Sequence, residues 1–172
     1  AIILLTYLII YVPKFDYIQG RILSFFDRET GTHNFQSDKA IDSITSGGFF
    51  GKGIGEGILK NRVPEAHTDY IISVISEEFG VVAIMLILLL FLIFIYMVFK
   101  KISFETDDKT KLILIGSISL ILMQATIHIG VNIRLFPTTG MTLPFLSYGG
   151  SSIISTSILA GIILNLTKRK IN

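Results

Sequence analysis

The chain has 172 residues; 51% are hydrophobic and only 16% are charged, and the charges cluster between apolar runs. That pattern marks a membrane protein and excludes a soluble domain. A formal net charge of +2 is too small to argue for a nucleic-acid partner, and the absence of cysteine excludes a disulfide framework and thiol chemistry.

Ala1 opens directly into an apolar run that ends at Pro13. The run is too short to cross a bilayer alone, so residues 1–13 read as a transmembrane helix cut by the start of the chain, itself a piece of a longer protein. No basic segment precedes the run, so it lacks the layout of a signal peptide. Residues 14–68 form a long polar loop; its seven basic residues from Lys14 to Arg62 are balanced by eight acids from Asp16 to Asp69, the last of them just past the loop. Helical apolar spacing at 17–26 and 37–44 predicts short helices lying on the membrane surface.

Residues 63–80 join this loop to the longest uncharged run. Pro64 disfavours helix at Val63, Thr68 and Asp69 are preferred N-cap types, and Gly80 marks a break or kink. A helix unbroken over 69–99 would span about 46 Å, against a bilayer core of about 30 Å. Residues 69–79 should therefore project beyond the hydrocarbon or fold separately at the interface, with 81–99 spanning it. This sets Asp69, Glu77 and Glu78 at one membrane surface. At a loop-to-helix junction Asp69 is either a cap, the default reading, or a placed chemical group. One of Glu77 and Glu78 is expected to face water and the other to pair with a loop base such as Lys60 or Arg62.

Residues 112–133 and 145–167 are further spans, followed by a basic tail at 168–172. The connection at 100–111 is basic too, which places both on the cytoplasmic side and sends the long loop and 134–144 outward. The fold class is all-α, a polytopic membrane helix bundle.

Four groups of residues invite chemistry. The glycine-rich stretch from Gly47 to Gly57 fails as a Walker loop, because Ser46 and Gly53 stand where Gly and Ser or Thr are needed. It reads as a tight surface turn, or as bare backbone that with Lys52 approaches an anion. Gln124, His128 and Asn132 share one helix face, which reads first as interhelical hydrogen bonding. Ser147, Ser151 and Ser155 read as small-residue packing. His33, His67 and His128 lack the spacing of a metal pair, so no metal ligands are assigned; His67 near Glu65 and Asp69 is a surface histidine first and a weak divalent site second.

Three motifs go further. Pro64-Glu-Ala-His-Thr-Asp-Tyr-Ile, Glu77-Glu-Phe-Gly80 and Pro137-Thr-Thr-Gly-Met-Thr-Leu-Pro-Phe-Leu-Ser-Tyr-Gly-Gly-Ser-Ser152 resemble the SEDS family of FtsW, RodA and SpoVE. Gly47-Gly-x-x-Gly-Lys-Gly53, with Gln36 upstream, is similar to that family's large extracytoplasmic loop, and the wording is nearer division-type FtsW than RodA. Tyr70 replaces the family's usual Phe, and Ile72-Ser73 a common Phe-Ala pair.

The resemblance covers essentially the whole chain and implies the last four helices of a ten-helix protein. It implies a peptidoglycan glycosyltransferase that polymerises lipid II at the outer face of the bacterial cytoplasmic membrane, at the division septum. The implied partners are a class B penicillin-binding protein, which supplies the transpeptidase, and other division proteins. The family's essential aspartate falls on Asp69, expected to act as general base toward a sugar hydroxyl. The leaving diphosphate needs positive charge, backbone donors or a divalent cation, for which Lys52 and Arg21 are candidates. Gln36 and His67 are candidates to orient sugar or carboxylate. The fragment alone is expected to be inactive. Competing readings are a RodA-type elongation polymerase, a lipid-linked precursor transporter whose path runs along Gln124, His128 and Asn132, and a scaffold that only recruits its transpeptidase.

Overall fold

The structure is a computed structural model that describes residues 32–63 and 65–168, together with Gly20 and Phe25. The truncated helix expected at 1–13, Arg21 and most of the helix expected at 17–26 lie outside the described residues. Among the described residues the secondary structure is wholly helical: α1 (Thr32–Gly47), α2 (Leu59–Arg62), α3 (Ile71–Phe104), α4 (Asp108–Asn132) and α5 (Gly150–Thr167). Three of these, α3, α4 and α5, are long and apolar enough to cross a membrane.

The 34 residues of α3 would make a rod of about 51 Å if straight. They do not run straight, because Gly80 leaves helical geometry with φ 77° and ψ −176°. The break strands carbonyls above it and N–H groups below it, which a buried helix end must satisfy elsewhere. The glycine-rich loop after α1 supplies both. Lys52 N–H donates to Glu77 O at 2.9 Å and Gly53 N–H to Glu78 O at 3.0 Å. In return Val81 N–H donates to Gly48 O at 2.9 Å and Val82 N–H to Phe49 O at 3.4 Å. Backbone meets backbone so closely that a Cβ on Gly80 would lie 2.2 Å from Phe49 O, and one on Gly51 would lie 2.2 Å from Glu78 O. Both glycines have φ of +77°, where an L side chain is strained.

Helix α1 contains the expected 37–44 segment but is not merely laid on a membrane surface. It buries Ser37, Ala40 and Ser43 on one side. Ala40, Leu59, Val63, Ala66, Tyr70, Val74 and Val131 form one apolar core around the first part of α3. Ile72, Ala125 and Leu143 form a second, and Val98, Leu114, Ile118, Ile121 and Ile163 tie the spans together. The remaining faces of the spans are exposed and mostly apolar; Ser151 and Ser155, expected in small-residue packing, are exposed among the described residues.

The last helix starts five residues later than the apolar run suggests, at Gly150 rather than residue 145. Phe145 has φ 67°, and Leu146 and Ser147 N–H both return to Leu143 O at 3.3 and 3.1 Å, which closes a turn in place of a helix. Ser147 is therefore in a turn, off the stripe expected with Ser151 and Ser155.

Replacing Gly80 with alanine should cost about 2 kcal/mol or more, through strain and a backbone clash. Gly116→Ala, where a Cβ meets nothing within 4 Å, is the control. The measurement is the thermal unfolding midpoint of the full-length protein in detergent; only Gly80→Ala should fall.

Candidate functional site

The turn at residues 65–70 carries Asp69 into α3, and its backbone is held from three directions. Tyr148 N–H donates to His67 O at 3.1 Å. Ser147 Oγ donates to Thr68 O at 2.8 Å. Asn132 Nδ2 donates to Asp69 O at 2.9 Å. Three consecutive carbonyls thus have three separate anchors, two on the 145–149 turn and one at the end of α4. Inside the turn, Asp69 N–H donates to Glu65 O at 3.0 Å.

Each anchor is itself fixed. Ser147 Oγ accepts Leu143 N–H at 2.8 Å, which commits its own proton to Thr68. Asn132 is fully buried, and its Nδ2 also donates to His128 O at 2.9 Å. Its Oδ1 accepts both the N–H and the hydroxyl of Ser73, at 3.3 and 2.8 Å. Below it, His128 Nδ1 donates to Met141 O at 2.7 Å, and Gln124 Nε2 to Thr142 O at 2.9 Å and Ser152 Oγ at 3.0 Å. The expected interhelical bonding of Gln124, His128 and Asn132 is present, and its main partners are the turns that build the site.

The cap expected at Thr68 or Asp69 is not where the sequence suggests. The N-cap position of α3 falls on Tyr70, which makes no side-chain cap bond. Tyr70 is instead buried, with its hydroxyl 3.3 Å from Ser37 Oγ on α1. Thr68 turns its hydroxyl back to Glu65 O and Oε2, each at 3.1 Å. The Asp69 side chain is half-buried and faces the Pro137–Gly140 segment: a Cβ on Gly140 would stand 3.7 Å from Asp69 Oδ2. A carboxylate on an immobilised backbone suits proton transfer from an incoming hydroxyl.

The other candidates are placed as follows. His67 is exposed and Gln36 is half-buried on α1, next to the Ser37 that meets Tyr70. Lys52 Nζ pairs with Glu77 Oε1 at 2.9 Å, and Leu59 N–H donates to Glu77 Oε2 at 3.0 Å. Glu77 is the buried acid of its pair and its partner is Lys52, because the glycine-rich loop folds back onto the helix break; the Lys60 side chain lies outside the described residues. Lys52 lines a cavity of about 180 Å³ with Lys39, Asp42, Arg62 and Glu77, and Asp69 is not among its lining residues. The amides of Lys52 and Gly53 are used within the protein, so the loop offers no open backbone cradle at those positions. Among the described residues no group of three or more His, Asp or Glu side chains is arranged to hold a metal ion. Ser147 is the anchor that sequence reasoning missed; its only signal was its place in the turn between Pro144 and Gly149.

The family model described as "Cell cycle protein", covering FtsW, RodA and SpoVE, matches residues 1–172. Curated relatives each described as a probable peptidoglycan glycosyltransferase FtsW include that of Francisella salina, 39% identical over 172 residues, covering 96% of this chain and 42% of the relative. That of Caulobacter vibrioides is 37% identical over 158 residues, covering 91% and 40%. That of Enterococcus hirae is 34% identical over 181 residues, covering 99% and 46%. A solved structure described as "Structural coordination of polymerization and crosslinking by a peptidoglycan synthase complex" aligns with a TM-score of 0.66 at 27% identity, covering 96% of this chain and 47% of that one. The chain spans less than half the length of these relatives.

Asn132→Leu keeps the branched side-chain shape and removes every polar anchor it makes. It leaves Ser73 and the Asp69 carbonyl with bonds unmade, at a cost of about 2–4 kcal/mol. Thermal unfolding of the full-length variant in detergent checks this; an unchanged midpoint would show that the anchor is dispensable.

Proposed function

The chain belongs to the FtsW/RodA/SpoVE (SEDS) family, and on that premise we propose that the whole protein polymerises lipid II into glycan strands, with Asp69 as general base. The observation that carries the reading is the placement of Asp69. Its carbonyl is bonded to Asn132, which stands about 30 Å along α4 from Leu112, one hydrocarbon thickness. The carboxylate therefore sits at the membrane border, where the headgroup of a lipid-linked sugar would meet it. The basic 100–111 connection and 168–172 tail favour the outer face of the bacterial cytoplasmic membrane for this border.

In the proposed step the 4-hydroxyl oxygen of the acceptor GlcNAc attacks the anomeric carbon of the donor sugar. The bond to the lipid diphosphate breaks with its electron pair, and Asp69 takes the hydroxyl proton. A rigid backbone holds that oxygen in place without reorganisation as the bond forms. Arg21 and Lys52 are the candidate partners of the departing diphosphate, Lys52 by exchanging Glu77 for a phosphate oxygen. Gln36 and His67 are the candidates to orient sugar or carboxylate.

Relatives described as FtsW favour a role in septal wall synthesis over the RodA-type reading. The structural neighbour is a complex that coordinates polymerization and crosslinking, which supports a crosslinking partner for this protein too; a class B penicillin-binding protein at the septum is the partner proposed. Gln124, His128 and Asn132 are engaged with the turns of the site, which counts against a transport path along them.

Asp69→Asn in the full-length protein should reduce glycan polymer from lipid II by about 10²–10⁴-fold with an unchanged unfolding midpoint. Polymer made at the parent rate by Asp69→Asn rules out the general-base role.

A further inference from the structure

The glycine-rich loop closes the helix break, but its side chains have a separate property that this role does not use. Phe49 is 75% exposed, Phe50 86% and Ile54 79%, on a segment whose backbone is hydrogen-bonded in place. Large apolar groups held rigidly in the open mark a surface that something covers.

The level of the loop identifies the cover. Gly48 O and Phe49 O accept from the N–H groups of Val81 and Val82, the first residues of the uncharged run through the membrane. The loop is thus pinned to the point where α3 enters hydrocarbon. The apolar surface continues down the span through the exposed Val82, Met85, Leu86 and Leu89. On the same loop Lys52 keeps its ammonium on Glu77. A segment with aromatic and aliphatic tips, a basic group alongside and a fixed height at a lipid-facing helix is an interfacial element.

We propose that residues 48–54 form a membrane wedge: Phe49, Phe50 and Ile54 enter the lipid border beside Val81 and set the depth at which the broken helix holds the Asp69 turn. The wedge is bonded to both sides of the break, through Glu77 and Glu78 above it and Val81 and Val82 below it. Lipid contact at its tip therefore bears on the position of 71–79, and through Ser73 and Asn132 on the site.

The test uses the full-length protein in lipid nanodiscs, with a single tryptophan introduced. The chain has none of its own, and any elsewhere in the full-length protein are first replaced. Phe50→Trp fluorescence should be quenched about twofold more by phospholipids brominated high on the acyl chain than by aqueous iodide, as an inserted side chain requires. Thr45→Trp, on the exposed side of α1, should show the reverse. Ile54→Trp repeats the measurement should Phe50→Trp fail to fold, which the unfolding midpoint reports. Quenching by iodide alone overturns the wedge. Protection from both quenchers also overturns it, since the loop is then covered by protein, either the rest of the chain or a partner. The measurement reads no activity, so it stands or falls apart from the glycosyltransferase reading.

Discussion

A helix longer than the bilayer is thick must do something at the border, and α3 breaks there. The backbone groups opened at Gly80 lie where neither bulk water nor hydrocarbon can serve them well. The loop at 48–53 answers with four hydrogen bonds, two given and two received. Everything outside the membrane follows from that closure. The loop's return seats Lys52 on Glu77, and Glu77 in turn holds Leu59 N–H and the start of α2. The chain then passes through Val63 and Ala66, both buried in the same core as Ala40 and Val74, and arrives at Asp69.

The site is fixed through main chain more than through side-chain packing. Carbonyls of His67, Thr68 and Asp69 cannot change their spacing, so anchoring all three sets the direction in which the Asp69 side chain leaves the turn. Two of the donors come from residues 147 and 148 and the third from α4, so the turn is bridged between two spans. A base that must accept a proton from a bound hydroxyl gains from this arrangement, because the geometry is set before substrate arrives. Gly140 lies beside the carboxylate, and its φ of +70° rather than any lack of space is what favours glycine there.

The spans and the break were legible because they rest on length and on one residue type. The uncharged run at 81–99 admits little else than a membrane helix, and Gly80 sits where an excess of length has to be resolved. The partners of polar side chains were not legible. Glu77 has bases at 52, 60 and 62 within reach along the chain, and only the loop's return to Gly80 selects Lys52. The start of α5 was misplaced because residues 145 and 146 are apolar, and composition cannot see that Phe145 has a positive φ. Asn132 was found by its face but not by its purpose, since a four-residue spacing reports that Gln124, His128 and Asn132 point together and not what they point at.

That last point bears on how polar groups inside a membrane bundle should be read. A ladder of amide and imidazole on one helix face suggests a path for a polar cargo. Here each rung is spent on a carbonyl: Thr142, Met141 and Asp69 in turn. These carbonyls belong to irregular chain, which is tolerated near hydrocarbon only where protein satisfies it. The ladder is therefore what lets two turns exist at the membrane border at all. A path along it would have to break the bonds that keep the Asp69 turn and the 141–148 turn in register. The polar face of α4 and the catalytic role proposed for Asp69 are thus one arrangement, in which the helix end serves as the floor on which a half-buried carboxylate is built.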